Sequence, residues 1–135
     1  MKRLIILSMM SFCLFSQAEL KAQFKLQLVQ IKCITPEESG GDETYIKVNG
    51  NRVWKKNMKK NTSRSLLAVP PISFNCPISI RIYDEDLYSD DYCGRYIVNV
   101  TSSDYNDLGR NKLQEFTGIG QDCKYEITYK ILLDN

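Results

Sequence analysis

The fold class this sequence predicts is an all-β sandwich, and three observations predict it. Apolar residues fall at every second position in Ile78-Ser79-Ile80-Arg81-Ile82 and again in Tyr125-Glu126-Ile127-Thr128-Tyr129-Lys130-Ile131, the period of half-buried strands. Short runs of this kind are separated by turn-rich stretches. No long segment repeats its apolar residues at helical spacing.

Taken in order, the chain opens on Met1-Lys2-Arg3 and then an apolar run from Leu4 to Phe15, the layout of a secretory signal peptide and too short for a comfortable membrane span. Cleavage fits after Ala18 or after Ala22, and Ala22 is the working boundary, giving a signal peptide over 1–22 and a single domain over 23–135. Bulky Phe12 before Cys13 argues against a lipid anchor there. Removing Lys2, Arg3, Lys21 and Glu19 takes the 18 basic and 16 acidic residues to 15 of each, so the mature domain is neutral. That balance argues against a nucleic-acid partner, and an exported chain is expected to be secreted or periplasmic.

Phe24 to Ile34 reads as extended, with its apolar face shifting from Phe24, Leu26 and Leu28 to Val29, Ile31 and Cys33, which predicts a bulge near its middle. Tyr45 to Val48 is the next strand. Asn49-Gly50-Asn51 supplies the positive-φ residues of a hairpin turn before Arg52-Val53-Trp54, where Trp54 is expected at the margin of the core. Further strands are expected at Leu66 to Val69 and Tyr96 to Val100. Ser102 to Gly109 reads as a turn-rich loop, and Leu113 to Phe116 as a turn of helix. Cys33, Cys76, Cys93 and Cys123 remain in the mature chain, an even number that predicts two disulfides with three possible pairings.

Charge is concentrated in two acidic stretches. The Ile78 strand runs directly into Asp84, Glu85, Asp86, Asp90 and Asp91, five carboxylates within eight positions, and Glu37, Glu38, Asp42 and Glu43 follow the first strand. Such crowding repels itself unless solvent or a cation neutralises it. Calcium is the natural cation, because it gathers six to eight oxygen ligands in flexible geometry. The chain has no histidine to favour zinc or copper.

These two stretches resemble the calcium-binding loops of the C2 domain family, β-sandwiches that bind membranes in a calcium-dependent way. Asp84, Asp86, Asp91 and Gly94 follow the order of the family's third-loop acids and glycine, with a gap one residue shorter. Glu37 or Glu38 and then Gly41-Asp42-Glu43-Thr44-Tyr45 resemble its first loop, with Glu in place of the first Asp. The resemblance implies calcium held by Asp42, Asp84, Asp86, Asp90 and Asp91, with Glu37, Glu38 and Glu43 as further candidates.

If both acidic loops lie at one end, Cys33 and Cys93 are expected to pair there. Cys76 and Cys123, each placed before a strand, are expected to pair at the other end.

The resemblance also implies an anionic-surface role for the basic run Lys55, Lys56, Lys59, Lys60 and Arg64. A solvated, aggregation-resistant strand edge has the same composition. The function expected is an exported calcium-binding module that engages a membrane or partner surface. The alternative is a metal-independent interaction protein, such as an inhibitor or immunity factor. Catalysis is not expected, because histidine is absent and the mature cysteines are expected to be oxidised.

Overall fold

A computed structural model of the chain describes residues 23–75 and 77–135. The expected signal peptide over 1–22 and Cys76 lie outside the described residues. Among them are nine strands: β1 (Phe24–Thr35), β2 (Asp42–Val48), β3 (Asn51–Met58), β4 (Ser63–Ser65), β5 (Ile72–Phe74), β6 (Ile78–Asp84), β7 (Asp91–Val98), β8 (Lys112–Thr117) and β9 (Lys124–Leu133). They form two antiparallel sheets packed as a sandwich. The first runs β4-β1-β9-β8, with β5 also pairing β1, and the second runs β3-β2-β6-β7.

The alternation seen in the sequence is the alternation of burial. Ile78, Ile80 and Ile82 of β6 and Tyr125, Ile127, Tyr129 and Ile131 of β9 point into the core, where they meet Leu26, Leu28 and Ile31 of β1. In β1 the expected bulge lies at Val29, where the pairing with β9 slips between Leu28 and Gln30 and transfers the inward face from Leu28 to Ile31. The β2–β3 hairpin turns at Asn49 and Gly50, both at positive φ.

Two expectations are corrected. Leu66 to Val69 is a turn between β4 and β5, which together form one interrupted edge beside β1. Leu66 and Val69 are buried there as a plug, with the Val69 amide donating to the Leu66 carbonyl at 2.9 Å. Leu113 to Phe116 is strand β8, not a helical turn. Leu113 is 65% exposed and Phe116 only 2% exposed, so the two residues take opposite faces of a strand. The loop expected from Ser102 contains a short 3-10 helix, Ser102–Asp107.

The disulfide pairing is also corrected. Cys93 is joined to Cys123, and Cys33 is a free, buried thiol. Neither expected bridge, Cys33 to Cys93 nor Cys76 to Cys123, is compatible with that bond. The reason is strand direction: β9 runs antiparallel to β1, so Lys124 at its start lies opposite Thr35 at the end of β1. Cys123 therefore sits at the acidic end, level with Cys93 near the start of β7. Burial pushes the Cys33 thiol up to about 11.

Candidate metal centre at the acidic end

The topology gathers four connections at one end of the sandwich: residues 36–41, 59–62, 85–90 and 118–123. Two glycines hold them close. Gly41 has φ of 102°, and a Cβ there would lie 2.6 Å from the Met58 carbonyl oxygen. Gly94, at φ of 115°, lets β7 approach Thr117 at the end of β8, where a Cβ would lie 3.0 Å from its backbone nitrogen and oxygen.

The acids at this end divide by what they touch. Asp42 is buried, and its two oxygens accept the Glu37 amide at 3.0 Å and the Glu38 amide at 3.1 Å. The Tyr125 hydroxyl also donates to Asp42, and Thr44 Oγ1 then donates to the Tyr125 oxygen at 2.9 Å. Burial first, and then the bond to Asp42, push the Tyr125 hydroxyl far up. Asp42 therefore folds the first acidic loop back on itself and fastens it to the other sheet.

Glu43 and Glu85 face outward among cations. Glu85 accepts Arg52 at 3.0 Å and also binds Lys55, which lies 3.7 Å from Glu43. This removes Lys55 from the expected free basic run. Lys56, Lys59, Lys60 and Arg64 are exposed, with Lys59 and Lys60 in the connection at the acidic end. Asp90 accepts the Tyr45 hydroxyl at 2.5 Å and the Asp86 amide at 3.2 Å. The bond from Tyr45 holds the Asp90 carboxyl below its usual range.

The remaining acids face one another. Asp84 is buried, and burial, with Asp42 and Asp86 nearby, raises its carboxyl to about 7. Glu37 is also raised to about 7, first by burial and then by Asp91, with smaller contributions from Asp42 and Asp86. Asp86 is raised by its contact with Asp91. When Glu37 and Asp91 are both ionised, neither has a proton to share, and Glu37 Oε2 is buried with no hydrogen-bond partner. Gln121 steadies Asp91 through a bond of 3.0 Å.

An open cleft of about 800 Å³ lies above Asp84, bounded by Glu38, Glu43, Glu85, Asp86 and Asp90. A smaller hollow of about 410 Å³ adjoins it between Glu38, Asp86 and Asp91, with Leu87 and Tyr88 on its rim. Among the described residues, the one group of three donor atoms within 4.8 Å of each other is Glu37 with Cys93 and Cys123. Those sulfurs are bonded to each other, so they are not free to ligate. The predicted aspartates share one end, but no three of them bring their oxygens that close together.

A calcium ion needs oxygen donors with unmet charge, and the buried, unpartnered Glu37 Oε2 beside Asp91 and Asp86 meets that requirement. Asp42 does so least, because its oxygens already accept three donors. The sequence alone ranks Asp42 among the chief ligands and Glu37 among the secondary ones. It does not reveal the roles of Tyr125 and Gln121, which are joined to the site only by long-range pairing, or the bond that Thr44, two residues from Asp42, makes to Tyr125. Glu85 is set apart by Lys55 and Arg52, and the basic residues in the sequence are the available signal for that.

No protein-family profile and no curated protein sequence matches the chain. Among solved structures, the tandem C2 domains of Extended-Synaptotagmin 2 are similar at 12% identity and TM-score 0.54, over 96% of this chain and 48% of that one. The calcium-bound form of the same two domains matches at 12% identity and TM-score 0.56, over 84% of this chain and 46% of that one. The chain thus spans about half the length of these two-domain structures. What they share with it is architecture, and on that ground the chain resembles the C2 domains: it is a C2-like antiparallel β-sandwich.

Proposed function

We propose that this chain is an exported calcium-binding module that engages a membrane surface through its acidic end. One juxtaposition carries the reading. The self-repelling acids Glu37, Asp84, Asp86 and Asp91 lie beside a cleft whose rim carries Leu87 and Tyr88, 97% and 100% exposed, and Ile119, in the 118–123 connection at the same end, is 91% exposed. Large apolar side chains grouped beside a charged cleft mark an interaction surface.

Glu37, Asp84, Asp86 and Asp91 are the residues that would hold the ion, with Glu38 and Asp90 at the edge of the cleft. Bound calcium supplies the positive charge that this group of carboxylates lacks. The chain's own contribution is to fix the floor of the site through Asp42, to keep Glu37 Oε2 out of water, and to place Leu87 and Tyr88 outermost. The calcium-bound Extended-Synaptotagmin 2 domains, similar in fold, support the choice of ion.

Thermal unfolding of the oxidised mature domain in chelator and in millimolar calcium tests the ion site, because a ligand that binds only the folded state raises its stability. At a hundred times its Kd the gain is about 2.7 kcal/mol. A calcium-specific rise is expected, absent with magnesium and lost when Asp84 and Asp86 are both replaced by Asn. No rise at high calcium would remove the ion from the mechanism and leave a metal-independent interaction protein.

A further inference from the structure

A carboxylate stands against the disulfide. Among the described residues, an oxygen of Glu37 and the sulfurs of Cys93 and Cys123 all lie within 4.8 Å of one another. Both cysteines are buried, and Glu37 Oε2 is buried with no hydrogen-bond partner. Such an oxygen needs a proton or a cation. While the sulfurs are bonded to each other they cannot help to hold one, but as two thiolates they turn the same place into a site for a soft metal ion.

The three donors come from separate parts of the chain, and packing brings them together as well as the bond. Glu37 is held through its amide, which donates to Asp42 at 3.0 Å. Cys93 lies in β7, whose neighbouring residues Asp91 and Tyr92 pair with Asp84 and Tyr83 of β6. Cys123 ends the 118–123 connection, which passes close over its sulfur because residue 118 has no side chain. A Cβ on Gly118 would lie 3.2 Å from Cys123 Sγ and 2.6 Å from the Tyr92 carbonyl oxygen. The two cysteine Cα atoms are 5.7 Å apart. Tetrahedral zinc, with bonds to sulfur of about 2.3 Å, holds two thiolates about 3.8 Å apart, a separation that side-chain rotation can supply from these Cα positions.

We propose that Cys93 and Cys123, once reduced, bind a zinc ion together with Glu37. The reductant is a dithiol. Its thiolate attacks one sulfur, a mixed disulfide forms, and the second thiol closes a disulfide within the reductant. Two electrons and two protons thus pass to the cysteines as their bond breaks. Zinc then displaces the two thiol protons and accepts the Glu37 oxygen, and water completes the tetrahedron. Thiolates select zinc over calcium, which takes oxygen ligands. Access comes through the 118–123 connection, where Ile119 is 91% exposed and the closing backbone bond from the Gly118 amide to the Cys123 carbonyl is 3.4 Å long. Asp91, steadied by Gln121 at 3.0 Å, borders both Glu37 and the smaller hollow, so an ion entering from solvent meets it on the way. The bound ion ties β7 to β9 again and takes over the role of the crosslink. Glu37 is also a ligand in the calcium reading, but the zinc site does not rest on that reading.

The experiment is a zinc titration of the mature domain in calcium-free buffer, after reduction with a phosphine that is then removed under nitrogen, with the oxidised domain alongside. One zinc per reduced chain is expected, with a rise in the thermal midpoint of the reduced chain and none in that of the oxidised chain. Cobalt in place of zinc is expected to give thiolate charge-transfer absorption. Glu37→Gln is expected to lower the zinc affinity of the reduced chain at least about tenfold, and replacing Cys33 and Cys76 with Ser to leave it as it was. If the reduced chain unfolds without metal, zinc is expected to restore its β-sheet circular dichroism, and Glu37→Gln to require at least about ten times more zinc for it. Three results would each overturn the proposal: no zinc bound by the reduced domain, equal affinity in the Glu37→Gln variant, or an equal rise in the oxidised domain.

Discussion

Glu37 sets a buried oxygen with no donor against the carboxylate of Asp91, and Asp84 lies buried nearby with its own carboxyl raised to about 7. Both groups bind protons more tightly in the folded chain than in the unfolded one, where a carboxylate titrates near about 4. Their contribution to stability is therefore fully present below that range and is lost as pH rises through 7. The metal-free thermal midpoint is expected to fall between about pH 5 and 8, and the gain from calcium to grow over the same window as the ion displaces protons. Melting curves across that range, with and without chelator, check both trends. Glu37→Gln is expected to raise the metal-free midpoint at pH 7.5, on the order of a few degrees, and to shrink the calcium gain. Little of this was legible in the sequence. The crowding of acids was visible, but not which acid is satisfied: Asp42 is held by two loop amides and by Tyr125, which lies 83 positions away, whereas Glu37 Oε2 has no donor.

At the scale of elements, the Cys93–Cys123 bond ties the start of β7 in one sheet to the start of β9 in the other. It closes a loop with a sequence separation of 30. Replacing both cysteines with Ser is expected to cost about 3 to 4 kcal/mol in denaturant unfolding. It should also weaken the calcium response, because the second acidic loop joins β7 just before Cys93. Peptide mapping under non-reducing conditions should recover a Cys93–Cys123 fragment. Strand positions were legible wherever one face is buried, as in β6 and β9, because period-two burial writes itself into the residues. Strand β8 was not: Leu113 and Phe116 are three apart, which copies a helical face, and only its pairing with β9 makes it extended. The disulfide pairing was hidden for a related reason. Which end Cys123 occupies depends on β9 lying beside β1, a choice that no local pattern records.

Over the whole molecule, polarity is arranged along the long axis of the sandwich. Acids and exposed apolar tips occupy one end, and the β2–β3 hairpin turn lies at the other. Replacing Leu87 and Tyr88 with Ala is expected to weaken calcium-dependent binding to phosphatidylserine-containing vesicles about tenfold or more, as read by sedimentation, while the melting curve in calcium stays where it was. Unchanged vesicle binding would move the contact surface elsewhere. The two acidic loops also differ in how firmly they are held. The loop containing Glu37 is tied down through Asp42 by two amides and a tyrosine from the far sheet, whereas the loop containing Leu87 has its tip entirely in solvent. The ordering entropy of the first was spent when the chain folded. Under the proposed function, that of the second would fall due when an ion draws Asp86 toward Glu37, so the stiffness of one short loop would set both the affinity of the site and the placing of its apolar tip.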